Sequence, residues 1–127
     1  MASRLTAKEL EAYCLAKPGA WPDRPWDHEY PVIKVTSGPG TGRIFAFLGA
    51  DTVGVKAGVD REQADEWLRR FPDDVTVMRY IGRSGWNTIS LRGSVPDDEI
   101  RSAVDESYER VVSKLARKHR PAGWDRS

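Results

Sequence analysis

The sequence predicts a two-layer α+β domain, with an antiparallel sheet covered on one face by helices. Short runs rich in β-branched and aromatic residues alternate with stretches of helical apolar spacing. The connections between neighbouring runs are too short for parallel crossovers. The order read along the chain is α-β-β-β-α-β-β-α.

Thr6 to Lys17 reads as the first helix. Thr6 and Glu9 form a T-x-x-E capping box, Leu5 is placed to staple onto Leu10, and Tyr13 and Cys14 continue the apolar spacing. The segment "KPGAWPDRPW" then stops the helix, because Pro18, Gly19, Pro22 and Pro25 do not continue it. It reads as a loop in which Trp21 and Trp26 pack among prolines. Strands follow at Tyr30–Val35, Arg43–Gly49 and Thr52–Gly58. "TSGPGTG" joins the first two as a flexible hairpin loop, and "GAD" is a tight turn before the third. Asp60 opens the second helix with a D-x-x-Q cap, and Ala64, Trp67, Leu68 and Phe71 mark its buried stripe. Two further strands, Val75–Tyr80 and Trp86–Arg92, are joined by "IGRSG". The third helix starts near Pro96, a residue suited to a first turn. Asp97, Asp98 and Glu99 sit on its positive end, and Lys114, Arg117, Lys118 and Arg120 on its negative end. Pro121 closes it, and "AGWDRS" reads as a frayed tail.

The chain has 127 residues, fitting one domain over 1–127 with a core of about residues 5–120 and a tail at 121–127. Apolar content of 39%, charged content of 31% and a net charge of +1 describe a globular chain. Cys14 is the single cysteine, so no internal disulfide forms and a cytoplasmic home is expected. No apolar run reaches membrane-span length, and "MASRLTAKEL" lacks a signal-peptide core. Neither an internal repeat nor a low-complexity tract is visible.

The motifs of several chemistries fail here. "SGPGTGRI" has the glycines of a phosphate loop but lacks its lysine, its hydroxyl and the following helix. "GRSG" lacks the spacing of a nucleophile elbow, so Ser84 reads as a turn residue. His28, His119 and Cys14 make a poor metal inventory, and Cys14 falls on the apolar stripe of its helix. Asp73 and Asp74 lie at a helix end, where solvation explains them. The expectation is no enzyme, no metal and no cofactor. Trp67 belongs to a helix stripe, and Trp86 reads as packing rather than as an exposed platform.

Charge distribution is the remaining signal. From Tyr30 to Ala50 there is no carboxylate, while Lys34 and Arg43 are present. From Val75 to Pro96 there is again none, while Arg79, Arg83 and Arg92 are present. One reading is that strands disfavour Asp and Glu anyway. The other is a cationic β-layer opposed to acidic helices. Alternation places Lys34 and Lys56 on one strand face, with Arg43 at a strand start.

"PVIKV", "IFAFL", "WNTISL" and "GSVPDDEIRSAVDESYERVVSKL", with the early "CLAKPGA", form a pattern that resembles the MmcQ/YjbR family of small bacterial proteins. The likeness runs from about Leu10 to Arg120. It implies a fold like that of type III secretion chaperones and DNA binding through a double-wing sheet. Two departures stand out. "TSGPGTGR" is longer than the family's first hairpin loop, and Ala116 stands where the family often has proline. The third helix is therefore expected to continue into "RKHR", setting Lys114, Arg117 and Lys118 on adjacent turns.

The function expected is phosphate-driven, weakly selective binding of double-stranded DNA by a monomer. Its candidate contacts are Lys34, Arg43, Lys56, Arg79, Arg83, Asn87, Arg92, Lys114, Arg117 and Lys118. Asn87 is the candidate for a base edge. The alternative is a protein-interaction module, for which the Trp21/Trp26 loop is the candidate surface. No membrane partner is expected.

Overall fold

The computed structural model describes residues 5–24, 29–38 and 40–124, so Trp26, His28 and the end of the tail lie outside the described residues. Helix α1 spans Ala7–Leu15, ending earlier than the sequence suggests. Its capping box is present: Glu9 N–H donates to Thr6 Oγ1 at 3.1 Å, and Thr6 N–H donates to Glu9 Oε1 at 2.9 Å. Leu5, Leu10 and Cys14 are buried beneath it.

The segment read as a loop contains a strand. β1, Ala20–Asp23, pairs antiparallel with β2, Val32–Gly38. Pro22 misled the reading. Proline has no N–H for a ladder, but an edge strand needs donors on one side only. β3 covers Thr41–Leu48, β4 Thr52–Lys56, β5 Val75–Val77 and β6 Trp86–Ser90. The sheet has six antiparallel strands in the order β1-β2-β3-β4-β6-β5. Much of "TSGPGTG" is therefore strand, since Thr36 pairs with Gly42 and Gly38 with Thr41. Conversely, β5 ends at Val77; Met78 N–H still donates to the Trp86 carbonyl at 3.1 Å, and residues 79–80 leave the ladder where the sequence continued the strand.

Helix α2 spans Arg61–Arg70. Asp60 caps it by accepting from Gln63 N–H at 3.2 Å, while Gln63 Oε1 accepts from Val59 N–H at 2.9 Å. Helix α3 spans Asp97–Ser113, with Pro96 as its N-cap. It does not run on into "RKHR". Ala116 turns extended, and Arg117–His119 form a separate 3-10 turn. The reason is Arg120, whose guanidinium folds back and donates to the carbonyls of Leu115 (3.1 Å) and Ser113 (2.9 Å), capping the end of α3. The tail is ordered at least to Trp124, which packs on the core under the Arg120 guanidinium, 5.5 Å from its ring centre.

The core fills the space between the helices and one sheet face. Phe45, Ile33, Val35, Val53, Val55 and Ile89 meet Leu10, Ile100, Val104, Tyr108 and Val112. A bulge at Phe45, where Ile33 pairs with Ala46 but Lys34 pairs with Ile44, turns that ring toward α3. There it makes an edge contact with Tyr108 at 5.2 Å. Asp74, expected at a solvated helix end, instead accepts from the Ser94 N–H (2.9 Å) and hydroxyl (2.7 Å). Gly85, at φ +94, closes the turn before β6, and its carbonyl accepts from Ala57 N–H at 2.7 Å. A Cβ there would strike the Gly58 carbonyl, so only glycine fits.

The seam between α1 and α3 makes the fold sensitive to alkali. Burial pushes the Cys14 thiol up to about 12 and the Tyr108 phenol to about 12. Burial and the hydrogen bond to Asp105 (2.7 Å) push Tyr13 to about 12. In the unfolded chain these groups lose protons between about pH 8.5 and 10. Above that range the unfolded state binds fewer protons than the native one, so stability falls as pH rises. A urea midpoint held up to about pH 9 and then declining toward pH 12 is expected. Site-resolved NMR showing Tyr13 and Tyr108 ionising near pH 10 with the fold intact would contradict it.

Candidate functional site

β3 and β4 part company at one place. Their ladder runs through Leu48–Val53, Phe47–Gly54 and Ala46–Val55. The next pair in register would be Phe45 and Lys56, and it is not formed. The Ser107 hydroxyl of α3 stands between them. It donates to the Phe45 carbonyl at 2.7 Å and accepts from the Lys56 N–H at 2.9 Å. Arg110, one turn on, donates to the Lys56 carbonyl at 3.0 Å. Both backbone groups of Lys56 are therefore held by a helix rather than by β3. Beyond this point β2 and the first half of β3 continue as a hairpin, while β4 leaves toward α2, and the sheet forks.

A groove of about 1410 Å³ occupies the fork. Ile44, Phe47, Trp86, Val111 and Leu115 are its apolar lining, with Trp86 edge-on to Phe47 at 5.4 Å. The hairpin supplies Lys34, Thr41, Gly42 and Arg43 on one side. The segment Met78–Ile81 supplies Arg79 and Tyr80 on the other. Lys56, Arg110, Lys114 and His119 complete it. Six Lys or Arg residues and a histidine line the groove, and among the described residues lining it there is no carboxylate.

Not all of this charge is free. Lys34 pairs with Asp23 at 2.7 Å while lying over the Trp21 ring, and Arg110 pairs with Glu106 at 3.4 Å. Arg43, Lys56, Arg79 and Lys114 have no carboxylate partner among the described residues. Lys56 donates to the Ser84 carbonyl at 2.6 Å. Burial, with Lys114 and Arg110 adding repulsion, lowers its ammonium below the ordinary lysine value. Such a spot favours a bound anion, which would relieve the repulsion.

A more acidic cavity borders the groove through Arg110, which lines both. A second cavity of about 690 Å³ between α2 and α3 is lined by Asp60, Glu62, Glu66, Glu99 and Glu106, with Arg70 and Arg110.

Of the expected contacts, Lys34, Arg43, Lys56, Arg79 and Lys114 meet in the groove. The others do not. Asn87 is 0% exposed, and its Nδ2 donates to the Ala64 carbonyl at 2.8 Å, tying β6 to α2. It points to the helix side because it pairs with Val55, a core residue, so it is no base contact. Arg92 pairs with Asp51 at 3.5 Å, at the far end of β6 from the fork. Arg83, on the 3-10 turn Gly82–Ser84, and Arg117 and Lys118, on the turn after α3, are exposed but do not line the groove. Sequence reasoning missed Arg110, His119 and Tyr80. The spacing of Arg110 and Lys114, four residues apart on a helix, was a usable signal for the first.

A two-layer α+β domain with an acid-free cationic groove at a forked sheet is the class the geometry defines. The chain belongs to the YjbR family, whose model matches residues 15–110. It is 32% identical over 120 residues to the uncharacterised protein YjbR of Escherichia coli K12, covering 91% of this chain and 95% of that protein. The same figures hold for the counterpart from Escherichia coli O157:H7. The crystal structure of the Deinococcus radiodurans protein DR2400, a DUF419 domain, matches with a TM-score of 0.78 at 25% identity, over 91% of this chain and 85% of that one. Among the described residues no helix is long and apolar enough to cross a membrane.

Proposed function

We propose that this protein binds nucleic acid, holding the phosphate backbone in the groove at the fork with little choice of sequence. The observation that carries the reading is the lining itself, with six Lys or Arg side chains and no carboxylate in a chain whose net charge is only +1. Field lines concentrate in a concave, single-sign cleft, so local charge matters more than the total. The groove also exceeds the roughly 300–1,000 Å³ of a small-molecule pocket, which suits an extended polymer. Phosphate contacts set affinity and register, whereas base choice needs donors and acceptors matched to base edges. No Asn or Gln lines the groove, and Asn87 is sealed in the core, which leaves arginine and lysine as the side chains suited to bidentate base contacts. The reading is non-enzymatic, for a monomer: Cys14 is buried with its thiol pushed up, and it does not line the groove.

A second reading has one observation of its own. Val77, Tyr80 and Ile81 are exposed close together beside the groove, a surface that would suit an apolar segment of a protein partner.

Titration of labelled DNA separates the two. With about four phosphates neutralised, log K falls by roughly 3–4 per decade of salt, a loss on the order of 100-fold between about 50 and 200 mM. The double variant Arg43→Ala/Lys114→Ala reduces the slope by about 2 units. Arg69→Ala, on α2 and paired with Glu66, leaves it unchanged. Affinity indifferent to salt, or no binding at the lowest salt, removes the proposal.

A further inference from the structure

The groove's wall carries a feature that phosphate binding does not use. Tyr80 is 96% exposed, the most exposed large hydrophobic side chain among the described residues. Its backbone sits at φ +70, the one non-glycine residue with positive φ among the described residues. Ile81 N–H donates to the Arg79 carbonyl at 2.8 Å, so Tyr80 is the centre of a three-residue turn of the strained kind. The left-handed backbone costs stability, and the ring, still in solvent, gains none by burial. The turn sets Tyr80 in the groove lining together with Arg79, which has no carboxylate partner among the described residues.

We propose that the groove takes a single strand, with an unpaired base stacked on Tyr80 while its phosphates meet Arg79, Arg43, Lys56 and Lys114. This rests on the nucleic-acid reading above. An exposed aromatic beside a cationic track is the combination that holds single strands without reading sequence, because every base presents a π face. A duplex keeps those faces inside its own stack and offers the wall only phosphates and groove edges. Concavity argues the same way. The apolar lining of Phe47 and Trp86 lies within the fork, a surface that suits unpaired bases better than a duplex's phosphate exterior.

The test uses the full chain with a labelled single strand of mixed sequence and the matching duplex, at one low salt concentration. The single strand binds more tightly. Tyr80→Ala weakens single-strand binding by roughly 5- to 100-fold, leaves duplex binding unchanged and keeps the salt slope. Tyr80→Phe and Tyr80→Trp retain affinity, since stacking needs the ring and not the hydroxyl. Tyr80→Gly loses the strand but melts no lower than the parent, because glycine relieves the turn. Equal affinity for strand and duplex, or a silent Tyr80→Ala with salt-sensitive binding intact, overturns this proposal and leaves the groove reading standing. No binding of either probe overturns both.

Discussion

The Ser107 hydroxyl, set between Phe45 and Lys56, is the constraint on which the rest of the molecule depends. A β-ladder ordinarily closes on itself, each N–H finding the carbonyl of the next strand. Here a side chain from the opposite layer takes the last pair. Serine suits the position because its hydroxyl donates and accepts at once in a volume that lets α3 lie against the sheet. The neighbouring Tyr108 locks the arrangement by packing on Phe45 and donating to the Pro18 carbonyl at 2.6 Å. An internal polar bridge of this kind is costly to break, since both backbone groups would be stranded away from water. The fork, the hairpin that leaves it and the cavity between them follow from that bridge.

Polarity of charge is the second consequence of the layering. The helices carry their acids toward solvent on their own side, where α2 and α3 border an acidic hollow. The groove at the fork gathers cations from the sheet and from the end of α3. A chain nearly neutral overall thus has one groove without carboxylates, while the acids Asp97, Asp98 and Glu99 at the start of α3 offset the positive end of that helix. The pairing of Lys34 with Asp23 and of Arg110 with Glu106 offsets two of the groove's six positive charges.

What was legible in the sequence was local. The capping box of Thr6 and Glu9, the stripe of α2 and the apolar face of α3 depend on neighbours three or four residues apart, and the chain states them directly. What depended on register was not. Asn87 looked available until its pairing with Val55 set it facing the helices. β1 was hidden because Pro22 breaks most strands and is tolerated only at an edge, and edges are a property of the whole sheet. The end of α3 was misread because the residue that stops it, Arg120, acts by reaching back across a turn rather than by its backbone preference. The cationic end was half visible: the acid-free strands announced it, but the three-dimensional meeting of Arg110 with Lys56 rests on a fold-level crossing.

The two outer strands have a bearing on how the protein behaves in a crowded solution. β5 is three residues long, and β1 carries a proline in its middle. Neither margin offers a long row of free amides to a passing chain, so the sheet resists growing into fibres through strand-by-strand recruitment. The molecule can therefore leave its interior open at the fork without inviting polymerisation along its rims.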